Sequence, residues 1–401
     1  MSAFFAVFCL ALFALTLGGC SINGGGEGGL LGLMPGSETN AKNADGDGAS
    51  TKPAVKVAFL LPISARGNTA SVAKALKQAG ELALFDFDNP NVQLIPKDTR
   101  GTPDGAKQAA KEAVKEGAEL IIGPLFANEV AAAAPEAQSA GIPMIAFSSD
   151  RKVAGNGVYL LSFLAGSDVP RIISYAVSQG KMCFAALIPQ TDYGRLVEQS
   201  FLSAVNKYGG QVVLVKSYPR DANGMMAPVR EIASLAKRGE EPQIDALFVP
   251  AGQDALPALA PLLPYSSVDT KKVKVLGTNG WDYPGIGKEK ALVGGWFSAA
   301  DPKGWTDFTK RYVETYDSVP PRLSSLAYDA VSLAVALSSN PKGSRFTSSK
   351  LTRPSGFNGI DGLFRLRSDG TSERGFAVLE VQRFGNQVIA PAPNSFTTAT
   401  H

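Results

Sequence analysis

The sequence predicts an α/β protein of two lobes, each a mostly parallel sheet flanked by helices. Three observations predict it. Apolar runs of strand length recur between Pro and Gly boundaries, segments of helical period separate them, and the alternation passes through two successive series of similar length. Val55–Leu61 is a near-continuous apolar run between Pro53 and Pro62, as expected of a strand buried on both faces. A helix is predicted over about 72–87, where Val72, Leu76, Ala79, Leu82 and Ala83 fall at helical spacing. A strand over 92–96, an alanine-rich helix over 104–116, a strand over 120–123, a helix over 128–139 and a strand over 142–147 complete the first series.

The second series opens with a helix over 169–179 and a strand over 182–188. Helix 193–207, strand 211–217, helix 225–238, strand 244–249, helix 253–263 and strand 273–277 follow. Strand-like crossings are expected near 159–163 and 294–298, and helices over 304–317 and 324–339 should pack back on the first lobe. The tail reads as a hairpin of 362–366 and 375–381, turning at Ser368-Asp369-Gly370. The expected division is therefore 53–162 with 299–350 as the first lobe and 163–298 with 351–395 as the second.

Two segments precede the lobes. The apolar run from Phe4 to Leu17 is shorter than the roughly 20 residues that span a bilayer, and small residues follow it, as in a signal peptide. Leu17-Gly18-Gly19-Cys20 resembles the lipobox of bacterial lipoproteins, although no Lys or Arg precedes the run. The resemblance implies cleavage after residue 19, lipid attachment at Cys20, and a periplasmic protein anchored in a membrane. In the same pattern Ser21 favours the outer membrane over the inner one. Residues 21–52 are Gly-rich and lack apolar periodicity, which predicts a flexible tether.

The net charge of +3 over 401 residues suggests no nucleic-acid partner. Cys183 is the one cysteine of the globular part, so no intramolecular disulfide is expected, and its apolar surroundings read as packing. Catalysis has little support. The single histidine is His401, and there is no CxxC pair, P-loop or strand–GxGxxG–helix, so neither cofactor nor metal is expected. Ser-x-x-Lys occurs four times, at 71, 178, 234 and 339, without its companion motifs, as chance would give.

Several local stretches, in their order, resemble the type I periplasmic binding fold of leucine/isoleucine/valine receptors. They are Phe59-Leu60-Leu61-Pro62-Ile63-Ser64, Ile122-Gly123-Pro124, Gly141-Ile142-Pro143-Met144-Ile145, Asp192-Tyr193-Gly194, Tyr328-Asp329-Ala330, and 356–364. The resemblance spans about 54–390 and implies two lobes joined by three crossovers, closing over a small molecule in the cleft. Gly123-Pro124-Leu125 with Val130, and Phe147-Ser148-Ser149-Asp150, are similar to the lipoprotein group of penicillin-binding protein activators, which carry this fold and stimulate peptidoglycan synthases.

By this resemblance the cleft residues are Ser64, Asn128, Ser148, Ser149, Tyr193, Asn279, Trp281 and Asp282. The serine that the receptors place after Gly123-Pro124 is absent, and Asn128 stands in its neighbourhood. Ser148 and Ser149 read either as an anion site or as a turn pair. Tyr193 reads either as a cleft contact or as a half-buried tyrosine at a helix start. The acid that pairs with a ligand ammonium falls near Asn279, which cannot neutralise it, though Asp282 is close by. Trp281 and Tyr283 would line the cleft or cover an apolar edge. Losing both serine and acid speaks against tight capture of a free α-amino acid, because a buried unpaired charge is costly. The expected role is thus a non-catalytic lipoprotein regulating peptidoglycan synthases. The alternative is the substrate-binding receptor of an ABC transporter for amino acids or related molecules, with a permease as partner.

Overall fold

The structure is a computed structural model that describes residues 54–87, 90–236 and 243–396, all within one compact unit. The signal segment, Cys20 and the tether lie outside the described residues. The chain begins with β1 (Val55–Leu61), α1 (Asn68–Phe85), β2 (Val92–Asp98), α2 (Pro103–Lys115), β3 (Leu120–Ile122), α3 (Ala127–Ser139), β4 (Met144–Ala146) and β5 (Val158–Leu160). It continues with α4 (Val169–Ser178), β6 (Cys183–Pro189), α5 (Asp192–Lys207), β7 (Gln211–Tyr218), α6 (Ala222–Ala233) and β8 (Ala246–Phe248). Next come α7 (Leu256–Leu259), α8 (Leu262–Tyr265), β9 (Lys274–Gly277), β10 (Trp296–Ala299), α9 (Pro302–Tyr316) and α10 (Ser324–Ser338). The last are α11 (Ser348–Leu351), β11 (Phe357–Gly359), β12 (Gly362–Leu366), β13 (Ser372–Arg374), β14 (Ala377–Val381) and β15 (Asn386–Ala390).

The first lobe is an all-parallel sheet in the order β2-β1-β3-β4-β5. Side chains alternate across it, so Val57, Phe59 and Leu61 enter the cluster under α1, α9 and α10, while Ala58 and Leu60 face α2 and α3. Alanines dominate that second face, with Ala106, Ala109, Ala110 and Ala113 meeting Ala133, Ala134 and Ala137, and so let the two helices approach closely. The second lobe orders its strands β15-β14-β10-β9-β8-β6-β7, antiparallel at β14 and β15 and parallel elsewhere. Its sheet is also covered on both faces: Ala185 and Leu187 point to one cluster, Phe184, Ala186 and Ile188 to the other. The chain passes between lobes three times, from β5 to α4, from β10 to α9 and from β13 to β14. No helix among the described residues is long and apolar enough to cross a membrane.

Three local expectations need correction. The helix expected over 253–263 is two one-turn helices, α7 and α8, since Pro261 and Pro264 lack the N–H that would continue it. The tail hairpin closes from β12 onto β13, whereas β14 leaves to pair antiparallel with β10. The segment 351–395 is therefore shared rather than wholly second-lobe. Leu351, Phe357, Ile360, Phe364 and Leu366 bury themselves in the first lobe's cluster, and Ala377, Leu379 and Val381 in the second's.

Candidate ligand-binding site

In open α/β sheets ligands collect beyond the carboxyl ends of the parallel strands. At that edge of the second lobe lies a pocket of about 540 Å³. Its walls are Pro189, Thr191 and Tyr193 after β6, Tyr218 and Arg220 at the end of β7, 250–255 after β8, and Asn279 and Gly280 after β9. The start of α5 is built for this position. Thr191 caps it by accepting from the Gly194 N–H at 3.0 Å, and a Cβ at Gly194 would stand 1.9 Å from the Pro189 carbonyl oxygen. Only glycine allows that approach, so Asp192-Tyr193-Gly194 carries Tyr193 to the pocket wall, where its hydroxyl meets Thr278 Oγ1 at 3.1 Å.

Asp168 ties this wall to the crossovers. It caps α4, is 2% exposed, and its Oδ2 accepts from the Asn279 N–H at 2.6 Å. Ser298, next to the second crossover, donates to the Asp168 carbonyl at 2.9 Å. Burial pushes the Asp168 carboxyl up to about 6, against the pull of the Asn279 N–H and the N–H groups of Asp168 and Val169. Burial also pushes Tyr193 up to about 12, with the Asp168 charge adding to it. Tyr218 is 1% exposed, yet its hydroxyl has no hydrogen-bond partner. Burial raises its pKa, and the charge of Asp254 acts in the same direction. An orphaned buried hydroxyl costs roughly 1–3 kcal/mol, and a ligand would satisfy it. Arg220 and Asp254 add opposite charges at the exposed mouth.

The first lobe offers its own strand ends. Ser64 is exposed after β1 and its N–H donates to Asp98 Oδ1 at 3.2 Å. Burial disfavours the charge on Asp98, but the Ser64 hydroxyl and the N–H groups of Arg100, Ser64 and Ile63 outweigh it and lower the pKa. Asn128 is exposed, with Oδ1 accepting from the Glu129 N–H at 2.9 Å. The N-cap of α3 is Phe126, which has no accepting side chain. Glu129 compensates from the first turn, taking the Phe126 N–H at 3.3 Å and the Thr99 hydroxyl at 2.8 Å. Its carboxyl is fully buried and burial raises its pKa. Ser148 is buried and its Oγ accepts from the Asp150 N–H at 3.2 Å, a turn contact, while Ser149 is exposed.

Of the eight cleft residues expected from sequence, Tyr193 and Asn279 line the second-lobe pocket. Trp281 does not reach it. The indole is 0% exposed, donates to the Val249 carbonyl at 3.0 Å, and fills the space that a Cβ on Gly277 would enter at 2.2 Å. It is a core residue. Asp282 lies outside the pocket and keeps solvent contact, yet the surrounding protein raises its pKa against the opposing charge of Arg322. Tyr218, Arg220, Asp254 and Asp168 were missed. The first three follow apolar strand runs directly, and the strand-end rule would have marked them.

A second cavity, of about 270 Å³, sits at the amino ends of β3 and β4, away from this edge. Its charged wall is already satisfied, because Arg345 grips both carboxylate oxygens of Glu119 at 2.7 and 2.8 Å. Among the described residues no group of three or more His, Cys, Asp or Glu is placed to hold a metal.

Two interlocked parallel-sheet lobes with a polar pocket at their strand ends define a solute-binding architecture. The chain belongs to the periplasmic binding protein family, whose model matches residues 54–386. No curated protein matches the sequence. Among solved structures it is similar to a protein from Rhodospirillum rubrum, provisionally described as a branched-chain amino acid ABC transporter. That match has 20% identity over 84% of this chain and 100% of that one, with a TM-score of 0.71. It is also similar to the substrate-binding protein LivJ of Streptococcus pneumoniae in complex with isoleucine, at 19% identity, 84% and 100% coverage and TM-score 0.53. A solute-binding protein from Rhodopseudomonas palustris in complex with 3,4-dihydroxybenzoic acid matches at 19% identity, 85% and 99% coverage and TM-score 0.54. At these identities the likeness shows the fold. The neighbours are transporter receptors, and they favour the receptor expectation over that of a peptidoglycan-synthase regulator.

Proposed function

We propose that this protein is the substrate-binding receptor of an ABC transporter, capturing a small polar solute in the second-lobe pocket. The observation that carries the reading is the pocket of about 540 Å³ at four parallel strand ends, with the buried hydroxyl of Tyr218 lacking a partner. Its volume lies in the range of small-molecule sites. Tyr193, Tyr218, Asn279 and Asp254 supply directional contacts, and Ser64, Asn128 and Ser149 face the ligand from the first lobe on closure. Closure requires the ligand to bind the closed arrangement better than the open one. The receptor is non-enzymatic. Cys20 carries its lipid anchor, with the outer membrane favoured by Ser21, and a permease is its protein partner.

A thermal-shift screen of the full-length protein tests this, with amino acids, aromatic acids, short peptides and muropeptides as the panel. A ligand at 100 times its Kd adds about 2.7 kcal/mol of stability. One clear shift that Tyr218→Phe diminishes is the expected result. Silence across the panel, together with capture of a peptidoglycan synthase, would replace the receptor with the cell-wall regulator.

A further inference from the structure

The pocket presents two opposite charges, and the fold limits which solute can meet both. Resting on the receptor reading, we propose that the ligand is an extended zwitterion, an ω-amino acid or short peptide, with its carboxylate at Arg220 and its ammonium at Asp254.

Strand order carries the argument. Arg220 follows β7 and Asp254 follows β8, and β6 lies between these two strands in the sheet. Neighbouring strands are about 4.8 Å apart, so the two chain positions are separated by roughly 10 Å across the pocket. A free α-amino acid holds its nitrogen and carboxyl carbon on one Cα, about 2.5 Å apart. It cannot span that separation, whereas an ω-amino acid or peptide can. Between the two charges stand groups suited to the middle of such a ligand. Tyr218 ends β7 with its buried, unpartnered hydroxyl, and Tyr193 and Thr278 hold each other at 3.1 Å on the far wall. The Asp254 charge is felt at both phenols, which places its carboxylate toward the interior of the pocket. A peptide amide can both donate to and accept from hydroxyls set in this way. The volume of about 540 Å³ leaves space for the longer molecule.

Isothermal titration calorimetry of the full-length protein decides, with 5-aminopentanoate and trialanine set against L-leucine, L-isoleucine and benzoate. The two extended zwitterions should bind at least about tenfold more tightly than the other three. Arg220→Gln and Asp254→Asn should each weaken them by about tenfold or more, the loss of one charge-assisted contact. Both side chains are exposed, so unchanged unfolding midpoints certify the variants. Tighter binding of leucine, isoleucine or benzoate overturns the inference and leaves the receptor reading standing. Extended zwitterions whose affinity survives both substitutions overturn it as well. Silence from all five probes also overturns it, and the broader thermal-shift panel then decides the receptor reading separately.

Discussion

Asp168→Asn is expected to make the protein more stable at neutral pH while leaving it unchanged in acid. The carboxyl is 2% exposed and no cation is among the groups that set its pKa, so ionising it is opposed by burial and helped only by N–H groups. Its folded pKa of about 6 stands some two units above the unfolded value of 3.8. Each unit is worth about 1.4 kcal/mol, so the ionised form costs the native state at most about 3 kcal/mol. The sign follows from proton counting. Between pH 4 and 6 the folded chain holds this proton more often than the unfolded one, so stability is lost as pH rises through that window. Asparagine is neutral throughout and can still accept the Asn279 N–H. The difference between variant and wild type should open from near zero at pH 4 to about 1–3 kcal/mol at pH 7.5. Urea unfolding at several pH values, followed by tryptophan fluorescence, measures it as a midpoint raised by up to about 1 M. An Asp168→Asn protein that is less stable at pH 7.5, or whose pH slope parallels the wild type, would refute the reasoning.

Other outcomes follow from single contacts. Tyr218→Phe removes a hydroxyl with no partner, so denaturant stability should hold or rise by about 1 kcal/mol while ligand affinity falls, as paired unfolding and calorimetry would read. Gly194→Ala puts a Cβ 1.9 Å from a carbonyl and should cost about 2–3 kcal/mol in urea unfolding. Trp281→Ala should cost about 3–5 kcal/mol, and the native indole should resist acrylamide quenching, because it is 0% exposed.

The repetitive part of the fold was legible because its strands are buried on both faces. β1 and β6 must be apolar at nearly every position, and that demand is written in Val55–Leu61 and Cys183–Pro189. The tail was not, since three-residue β13 and five-residue β14 are consecutive in sequence but belong to different sheets. Local pattern cannot tell a hairpin strand from one that crosses to the other lobe. The same limit governs the site. Tyr193 was found because Gly194 marks a close approach of backbone to backbone, which leaves a sequence signature. Trp281 was misplaced, as an indole next to a pocket loop has the same composition whether it faces the ligand or the core. Asp168 was invisible because it meets Asn279 across 111 positions of chain, by a contact with a backbone N–H that any residue could supply.

A crystal structure of the full-length protein with whichever small molecule gives the largest thermal shift tests the central claim most directly. The account predicts the ligand at the strand ends of β6 to β9, within hydrogen-bond distance of the Tyr218 hydroxyl, and with the first lobe closed on it. A ligand held at Ser148 and Ser149 alone, or in the cavity beside Glu119 and Arg345, would contradict it.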